Sequence, residues 1–168
     1  MLDFAYKYKA KLDEIYLNKV VGNDFYKYFT DSDYIQFTSR LGEDNTEWNK
    51  IERVSIFNNE ILGYIGCDIN RSRNYASHFK LLGFAQSYIL TKDVLLFVDS
   101  LFNKYKINKL NWMVNDGNPA KGLYDRFIER WGGRLVGYYE DEATIDGKYC
   151  KCYIYELMAK DYRSCLKQ

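Results

Sequence analysis

The chain has 168 residues, a length at which one domain can bury a sizeable core without metals or disulfides. Its 24 basic and 23 acidic side chains leave a net charge of +1, which excludes strong electrostatic attraction to nucleic acid or an anionic membrane. No apolar run approaches the ~20 residues of a membrane span, and the N-terminal stretch "MLDFAYKYKA" lacks the apolar segment of a signal peptide. We therefore expect one soluble, cytoplasmic domain without nucleic-acid or membrane partners.

The N-terminal part of the chain carries the weakest signals. Aromatic residues alternate over residues 4–8, as in a short strand, and apolar residues recur at helical spacing over residues 11–21. Residues 23–34 predict a second short helix that is capped by Asn23 or Asp24. The polar stretch that follows predicts a loop.

From residue 51 the patterns predict six strands and two helices. Asn58-Asn59-Glu60 and Asp146-Gly147 are hairpin turn sequences. A helix between the third and fourth of these strands requires a right-handed crossover, so those two strands should be parallel and the other pairs antiparallel. The fold class predicted is a mixed α/β domain with a mostly antiparallel sheet and helices on both faces. The strands are predicted at 52–57, 61–69, 74–85, 109–114, 134–140 and 148–157, and the helices at 91–106 and 119–131.

Both helices have recognisable ends. Thr91 is a plausible N-cap for the first helix. Asn118 is the natural N-cap of the second, Pro119 takes its first position, and the glycine pair at 132–133 ends it. The second helix should carry one apolar stripe, formed by Ala120, Leu123, Tyr124, Phe127, Ile128 and Trp131.

Cysteine and histidine residues predict no metal site. The cysteines at 67, 150, 152 and 165 are too few for a disulfide scaffold, and His78 is the only histidine, so no Cys/His zinc spacing can be assembled. We expect free, structural thiols; a thiol nucleophile is the alternative.

The element order, together with "GNPAKGLYDRFIERWGGRLVG" at 117–137, resembles the GNAT superfamily of acyl-CoA-dependent N-acyltransferases. The resemblance covers roughly the last two thirds of the chain and is strongest from 109 to 157. It implies a single domain over 1–168, in which residues 51–160 bind acyl-CoA and residues 1–50 form a wall of the acceptor site. It also implies acetyl-CoA as co-substrate, a primary amine as acceptor and a homodimer.

The resemblance implies a role for two residues of the second helix. In the family an amine attacks the thioester carbonyl directly, and a tyrosine at the position of Tyr124 protonates the leaving thiolate. Asn118 matches the asparagine that hydrogen-bonds the pantetheine arm or helps to seat the cofactor. Since the chain has 17 tyrosines, the alternative for Tyr124 is a packing role.

The segment that would bind the CoA pyrophosphate departs from the family pattern. Gln86 fits the first position of the glycine-rich motif, but Ile89 and Thr91 replace both small residues. Asp93 should oppose a bound anion, and Lys92 should partly offset it. The residues expected to bind the cofactor, besides Asn118 and Tyr124, are Phe84, Ala85, Gln86, Ile89, Leu90, Thr91 and Lys92.

The general base has several candidates. His78, on the third of these strands, can accept a proton from the amine. Asp68, Glu140, Asp141 and a bound water are the rivals. Two other functions stay open: a GNAT-fold binding module that has lost acyl transfer, and a structural domain whose tyrosine-rich surface binds a protein.

Overall fold

The computed structural model describes residues 1–29 and 48–167, so the last five residues of the helix predicted at 23–34 and most of the loop that follows lie outside the described residues. The strands are β1 Leu2–Phe4, β2 Lys50–Phe57, β3 Glu60–Asn70, β4 Tyr75–Gly83, β5 Lys109–Asn115, β6 Arg134–Ile145 and β7 Lys148–Met158. The α-helices are α1 Lys9–Ile15, α2 Tyr88–Asn103, α3 Lys121–Trp131 and α4 Ala159–Cys165. No helix in the described ranges is long and apolar enough to span a membrane.

The strands form a seven-stranded sheet in the order β1-β2-β3-β4-β5-β7-β6. β4 and β5 are parallel and are connected through α2, whereas β1–β2, β5–β7 and β6–β7 are antiparallel. The predicted mixed, mostly antiparallel α/β fold is therefore confirmed. The structure adds α4, which the sequence patterns did not predict.

Both predicted hairpin turns are confirmed by the backbone geometry. Asn58 and Asn59 have φ values of 49° and 64°, and Asp146 and Gly147 have values of 51° and 74°. Two successive residues with positive φ form the turn whose twist matches that of antiparallel strands, which explains the Asn and Gly at these positions.

The first few residues differ from the prediction. Only Leu2–Phe4 are a strand, and the aromatic residues Tyr6 and Tyr8 belong to a 3₁₀ turn over Ala5–Tyr8. The turn is held at Asp3, whose carboxylate accepts hydrogen bonds from Lys7 Nζ at 2.9 Å and Tyr8 Oη at 3.0 Å. Alternation of aromatic residues was therefore a misleading signal here. Asn23, in contrast, caps a short 3₁₀ helix by accepting from the Phe25 amide, as predicted.

The chain divides into two compact units, and the expectation of a single domain stays a prediction. The first unit comprises Met1–Cys67 and Lys80–Ser100. Its core combines the apolar side of α1 and the π-helical turn after it with residues of β2, β3 and β4. The buried members are Ala5, Leu12, Tyr16, Val20, Val54, Ile56, Ile61, Tyr64, Leu82 and Phe84.

The second unit comprises Asp68–Phe79 and Leu101–Gln168. Helix α4 is fixed by Tyr162, whose ring lies 5.3 Å from that of Phe102 and 5.2 Å from that of Trp131. Buried Glu156 on β7 accepts from Arg134 Nε at 2.7 Å, which connects the last two strands by a charged pair as well as by the ladder.

Candidate active site

Helix α3 ends where the sequence predicted, but it begins at Lys121, two residues later than predicted, after a turn over residues 119–120 that Asn118 caps. Asn118 Oδ1 accepts from the Ala120 amide at 2.8 Å, and the Asn118 carbonyl accepts from the Lys121 amide at 2.9 Å. Gly132 ends the helix in the left-handed conformation, with φ 74°. The predicted apolar stripe is only partly correct, because Leu123 is exposed. The Asn118 cap and the Gly132 stop therefore bound the segment that carries Tyr124.

Tyr124 belongs to a group of five aromatic side chains that we call the Trp112 cluster: Phe79, Trp112, Tyr124, Phe127 and Tyr155. The Trp112 ring lies parallel to the Tyr155 ring at a centroid distance of 5.5 Å. Tyr124 lies 5.8 Å from Trp112 and 6.2 Å from Tyr155. Phe127 and Phe79 approach Trp112 edge-on at 5.9 Å and 6.4 Å. The cluster joins α3 to β5, β7 and the first part of β4.

One hydroxyl of the cluster is fully used by the protein. Tyr155 Oη donates to Asp125 Oδ1 at 2.7 Å, and Lys121 Nζ lies 3.0 Å from Asp125 Oδ2. Burial and the bond to the carboxylate raise the pKa of Tyr155, while the bonds from Tyr155 and Lys121 lower the pKa of Asp125. Tyr155 therefore anchors β7 to α3 and is not free to transfer a proton.

The Tyr124 hydroxyl is in the opposite situation. No hydrogen bond to it is found within residues 1–29 and 48–167, and its side chain is half-buried. Burial raises the pKa of Tyr124 from 10.0 to about 12, so the hydroxyl stays protonated at neutral pH. Since its ring is held by the cluster, Tyr124 offers a positioned O–H donor without a protein acceptor in the described part of the chain.

Strand β4 leaves β5 close to this cluster. The parallel ladder pairs only Tyr75 with Lys109 and Ala76 with Leu110, although β5 continues to Asn115. Two residues after Ala76, His78 has φ 50°, a conformation that a non-glycine residue rarely adopts and that interrupts a strand. Trp112 therefore lies on the part of β5 that β4 no longer pairs.

His78 and Asp68, two separate candidates for the general base, lie side by side. His78 Nδ1 is 3.1 Å from Asp68 Oδ2, and the Ser77 hydroxyl lies 3.3 Å from the same nitrogen. Both side chains of the pair are exposed. If Nδ1 carries the proton toward Asp68, Nε2 becomes the proton-accepting nitrogen. The other rivals, Glu140 and Asp141, are exposed on β6.

The segment predicted to bind the pyrophosphate lies at the start of α2, in the first unit. The helix begins at Tyr88, and Ser87 caps it: its hydroxyl accepts from the Ile89 amide at 3.2 Å and its carbonyl from the Thr91 amide at 3.3 Å. Thr91 as the N-cap was therefore wrong; it lies inside the first turn, because Ser87 already satisfies that end.

The predicted cofactor-binding residues of this segment divide by exposure. Ala85, Gln86, Thr91 and Lys92 are exposed and Ile89 is half-buried. Phe84 and Leu90 are buried, and the side chain of Leu90 occupies the space beside Gly63, where an added Cβ would lie 2.8 Å from Leu90 Cδ1.

Asp93 does not oppose an anion at this helix end as expected. It is buried in the second turn of α2, where Oδ2 lies 3.1 Å from the Met1 ammonium and accepts from Ser55 Oγ at 2.7 Å. Its charge is neutralised inside the first unit. The helix start therefore carries the exposed Lys92 ammonium and the exposed Thr91 hydroxyl, two donors that can contact a phosphate even without glycines.

Metal and thiol chemistry find little support in the described residues. No group of three or more His, Cys, Asp or Glu side chains there could hold a metal ion. Cys67 and Cys152 are buried and Cys150 and Cys165 half-buried, all as free thiols. Burial raises the pKa of Cys150 and of Cys152, which keeps both protonated and makes them poor nucleophiles.

Sequence reasoning missed several residues of these two regions: Ser87, Trp112, Asp125 and Tyr155. Only Ser87 had a readable signal, since serine before an apolar helical run is a preferred N-cap. The roles of the other three depend on contacts between distant parts of the chain.

Comparisons with known proteins identify the fold. No family model matches the chain, and no curated protein matches its sequence. Among solved structures, the spermidine N-acetyltransferase of Vibrio cholerae in complex with CoA and spermine matches with a TM-score of 0.77 and 14% identity, over 97% of each chain. The spermidine/spermine N-acetyltransferase SpeG of the same organism, with manganese ions, matches at 0.72 and 14%, over 98% of this chain and 95% of that one. The chain therefore has the GNAT fold that the resemblance implied.

Proposed function

We propose that this protein is an acetyl-CoA-dependent N-acetyltransferase that acts on a primary amine. The observation that carries the proposal is the Tyr124 hydroxyl, which is protonated, held by an aromatic cluster and without a protein acceptor in the described residues. The likeness to an N-acetyltransferase that was solved with CoA and spermine supports it.

Acetyl-CoA supplies an acetyl group activated as a thioester. In the proposed reaction the amine nitrogen forms a bond to the acetyl carbon, the carbon–sulfur bond breaks, and sulfur leaves with the electron pair as a thiolate. The proton that the amine loses goes to a base, and the thiolate takes a proton from an acid. The products are an N-acetylated amine and the free CoA thiol.

Tyr124 is the proposed donor to the thiolate. With a pKa of about 12, it is a weaker acid than a thiol, whose ordinary pKa is about 8.5. Its main contribution is therefore a strong hydrogen bond to the developing negative charge on sulfur, in a site where burial strengthens that bond.

His78 is the proposed acceptor for the proton of the amine. Asp68 lies 3.1 Å from Nδ1 and orients the ring, so that Nε2 presents its lone pair. Asn118 caps α3 and thereby positions Tyr124; we also propose that it contacts the pantetheine arm.

The start of α2 is the proposed phosphate-binding segment. An anion is favoured there by the helix N-terminus, the exposed Lys92 ammonium and the Thr91 hydroxyl. Asp93 does not repel it as expected, because its carboxylate is buried and paired with the Met1 ammonium. The side chains of Phe84 and Leu90 are buried, so these two residues would contribute to phosphate binding only by packing beneath the backbone of the segment.

The acceptor is proposed to be a primary amine, with residues 1–50 forming one wall of its site. Polyamines are the first acceptors to test, because a solved structure of this fold holds spermine. We also propose a cytoplasmic homodimer.

The test combines binding and turnover. Acetyl-CoA is titrated by calorimetry into the wild type, Thr91→Glu and Leu96→Glu, the last of which adds one charge on an exposed part of the same helix. We expect micromolar binding that Thr91→Glu weakens at least tenfold and Leu96→Glu leaves unchanged. Thiol release is then measured with spermidine, spermine, small amines and peptides. Failure of millimolar acetyl-CoA to bind the wild type would contradict the proposal, and tight binding without turnover on any amine would favour a binding module.

A further inference from the structure

We propose that the indole N–H of Trp112 donates a hydrogen bond to a carbonyl oxygen of the acyl-pantetheine arm. This inference rests on the proposed function, since it requires that acyl-CoA reaches the Trp112 cluster. It assigns a ligand-binding role to a buried residue of β5.

The observation behind the proposal is a buried donor that lacks an acceptor. Trp112 is only 3% exposed, yet its Nε1–H has no hydrogen-bond partner among the described residues. Folded proteins pair nearly all buried N–H groups, because an unpaired donor loses its bonds to water without replacement. An exception of this kind indicates that the donor is kept for a ligand.

The surroundings of Trp112 show why the described residues supply no acceptor for its N–H. Four aromatic rings surround the indole, and among them only Tyr124 and Tyr155 carry a polar atom. Tyr155 uses its hydroxyl on Asp125, and Tyr124 makes no hydrogen bond within the described residues. The cluster thus holds two donors, the Trp112 N–H and the Tyr124 O–H, and a ligand that complements it must bring acceptors.

The reactive end of an acyl-CoA has that chemistry. Its thioester carbonyl, its sulfur and the nearest amide carbonyl of the pantetheine arm are all acceptors. A carbonyl at Trp112 would place the sulfur near Tyr124, because the two rings are only 5.8 Å apart. The two donors would then serve two adjacent acceptors of the same ligand.

The position of Trp112 in the fold permits this approach. The β4–β5 ladder ends at Leu110, two residues before Trp112, so the ladder no longer covers that edge of β5. Phe79 and Tyr155 are buried, whereas Tyr124 and Phe127 are half-buried. The ligand therefore reaches the indole from the side on which α3 presents Tyr124.

The test removes the N–H and keeps the shape of the ring. Trp112 is replaced by 3-benzothienylalanine through nonsense suppression, which exchanges N–H for sulfur, and the same replacement at Trp131 is the control. Trp112→Phe is a second variant. Calorimetry gives Kd for acetyl-CoA and for CoA, and the Tm of the ligand-free protein reports on the fold.

We expect the benzothienyl variant at 112 to bind acetyl-CoA about tenfold more weakly, the loss associated with one hydrogen bond. Its ligand-free Tm should not fall, because no internal bond is removed, and the Trp131 control should bind normally. Weakening confined to acetyl-CoA assigns the thioester carbonyl as acceptor; equal weakening for CoA assigns the amide carbonyl.

Two results would overturn the inference while leaving the proposed function intact. One is unchanged Kd for both ligands in the benzothienyl and Phe variants, with a wild type that binds. The other is a fall of several degrees in the ligand-free Tm of the benzothienyl variant at 112, which would mean that the N–H is paired inside the protein. A wild type that binds neither ligand overturns the proposed function and this inference together.

Discussion

Tyr124 and Tyr155 belong to one aromatic cluster, yet their hydroxyl groups have different uses. The Tyr155 hydroxyl donates to Asp125, and this hydrogen bond connects β7 to α3. Tyr124 has no such acceptor in the described residues, and burial alone raises its pKa. The residue type is the same in both cases, so the neighbouring carboxylate decides which tyrosine is structural and which is available for chemistry.

Removing the Tyr124 hydroxyl should impair turnover more than binding. For Tyr124→Phe we expect kcat to fall by roughly 10²-fold, the lower end of what one hydrogen-bond donor to a developing negative charge contributes, with little change in the KM for acetyl-CoA. Steady-state thiol release measures both, and Tyr149→Phe, at an exposed tyrosine of β7, is the control. Equal kcat in wild type and Tyr124→Phe would assign Tyr124 to packing.

The raised pKa of Tyr124 also predicts how stability depends on alkaline pH. The unfolded chain loses this proton near pH 10 and the folded protein near pH 12, so the unfolded state binds fewer protons between these values and stability falls as pH rises. From pH 9 to pH 11 the wild type should lose about 1 kcal/mol more unfolding free energy than Tyr124→Phe. Urea denaturation at both pH values measures the difference. Equal losses of unfolding free energy in the wild type and Tyr124→Phe would mean that folding does not raise the pKa of Tyr124.

The His78–Asp68 pair predicts a graded loss of activity. Replacing His78 by Gln should lower kcat about 100-fold at neutral pH, and Asp68→Asn about tenfold, because Asp68 acts only by orienting the ring. Ser77→Ala, which removes the more distant contact to the same nitrogen, should change little. A His78→Gln variant with more than a third of wild-type kcat would move the base to Glu140, Asp141 or a bound water.

At the scale of elements, the start of α2 is set by Ser87 and not by Thr91. A hydroxyl one residue before the helix accepts the second amide of the first turn, whereas a hydroxyl at Thr91 lies inside the helix. Because the cap is at Ser87, four residues before Thr91, Asp93 lies in the second turn. There it meets the buried Ser55 hydroxyl and the Met1 ammonium instead of a bound phosphate.

A pair of alanine variants distinguishes the two caps. Ser87→Ala should lower the unfolding free energy by about 1 kcal/mol, since the Ile89 amide loses its partner. Thr91→Ala should cost nothing, or stabilise by a few tenths of a kcal/mol, because alanine favours a helix interior. Chemical denaturation monitored by circular dichroism measures both. A larger loss at 91 than at 87 would restore Thr91 as the cap.

At the scale of the whole molecule, β6 is the last strand of the sheet, and one of its edges pairs with no strand of the described residues. It extends over Arg134–Ile145, and most of its side chains are exposed, including Leu135, Val136, Tyr138 and Tyr139. A long exposed edge with apolar side chains tends to pair with another strand. We therefore predict that the proposed homodimer forms through β6.

Light scattering after gel filtration tests this prediction. The wild type should have twice the 20.0 kDa mass of the chain, and Val136→Lys should shift the mass toward one chain. Leu96→Lys, at an exposed apolar residue of α2, should leave the dimer intact. A monomeric wild type, or a dimer indifferent to Val136→Lys, would contradict an interface at β6.

The sequence by itself determined the strands from β2 onward, the parallel β4–β5 pair, both hairpin turns and the C-terminal end of α3. Hydrophobic periodicity, turn conformations and helix caps act over a few neighbouring residues, so they can be read directly. The position of Tyr124 followed from them, because Asn118 and Gly132 fix the helix on which it lies.

Only the tertiary structure decided what each of these side chains contacts. In the structure Asp68 lies beside His78, Tyr155 donates to Asp125, and Asp93 is buried against the Met1 ammonium. The Trp112 N–H has no acceptor among residues 1–29 and 48–167. These outcomes join residues that are distant in the chain, and desolvation and charge pairing depend on that juxtaposition. Periodicity identified Tyr124 as a helix residue, but burial by β5 and β7 sets its acidity, which no local pattern encodes.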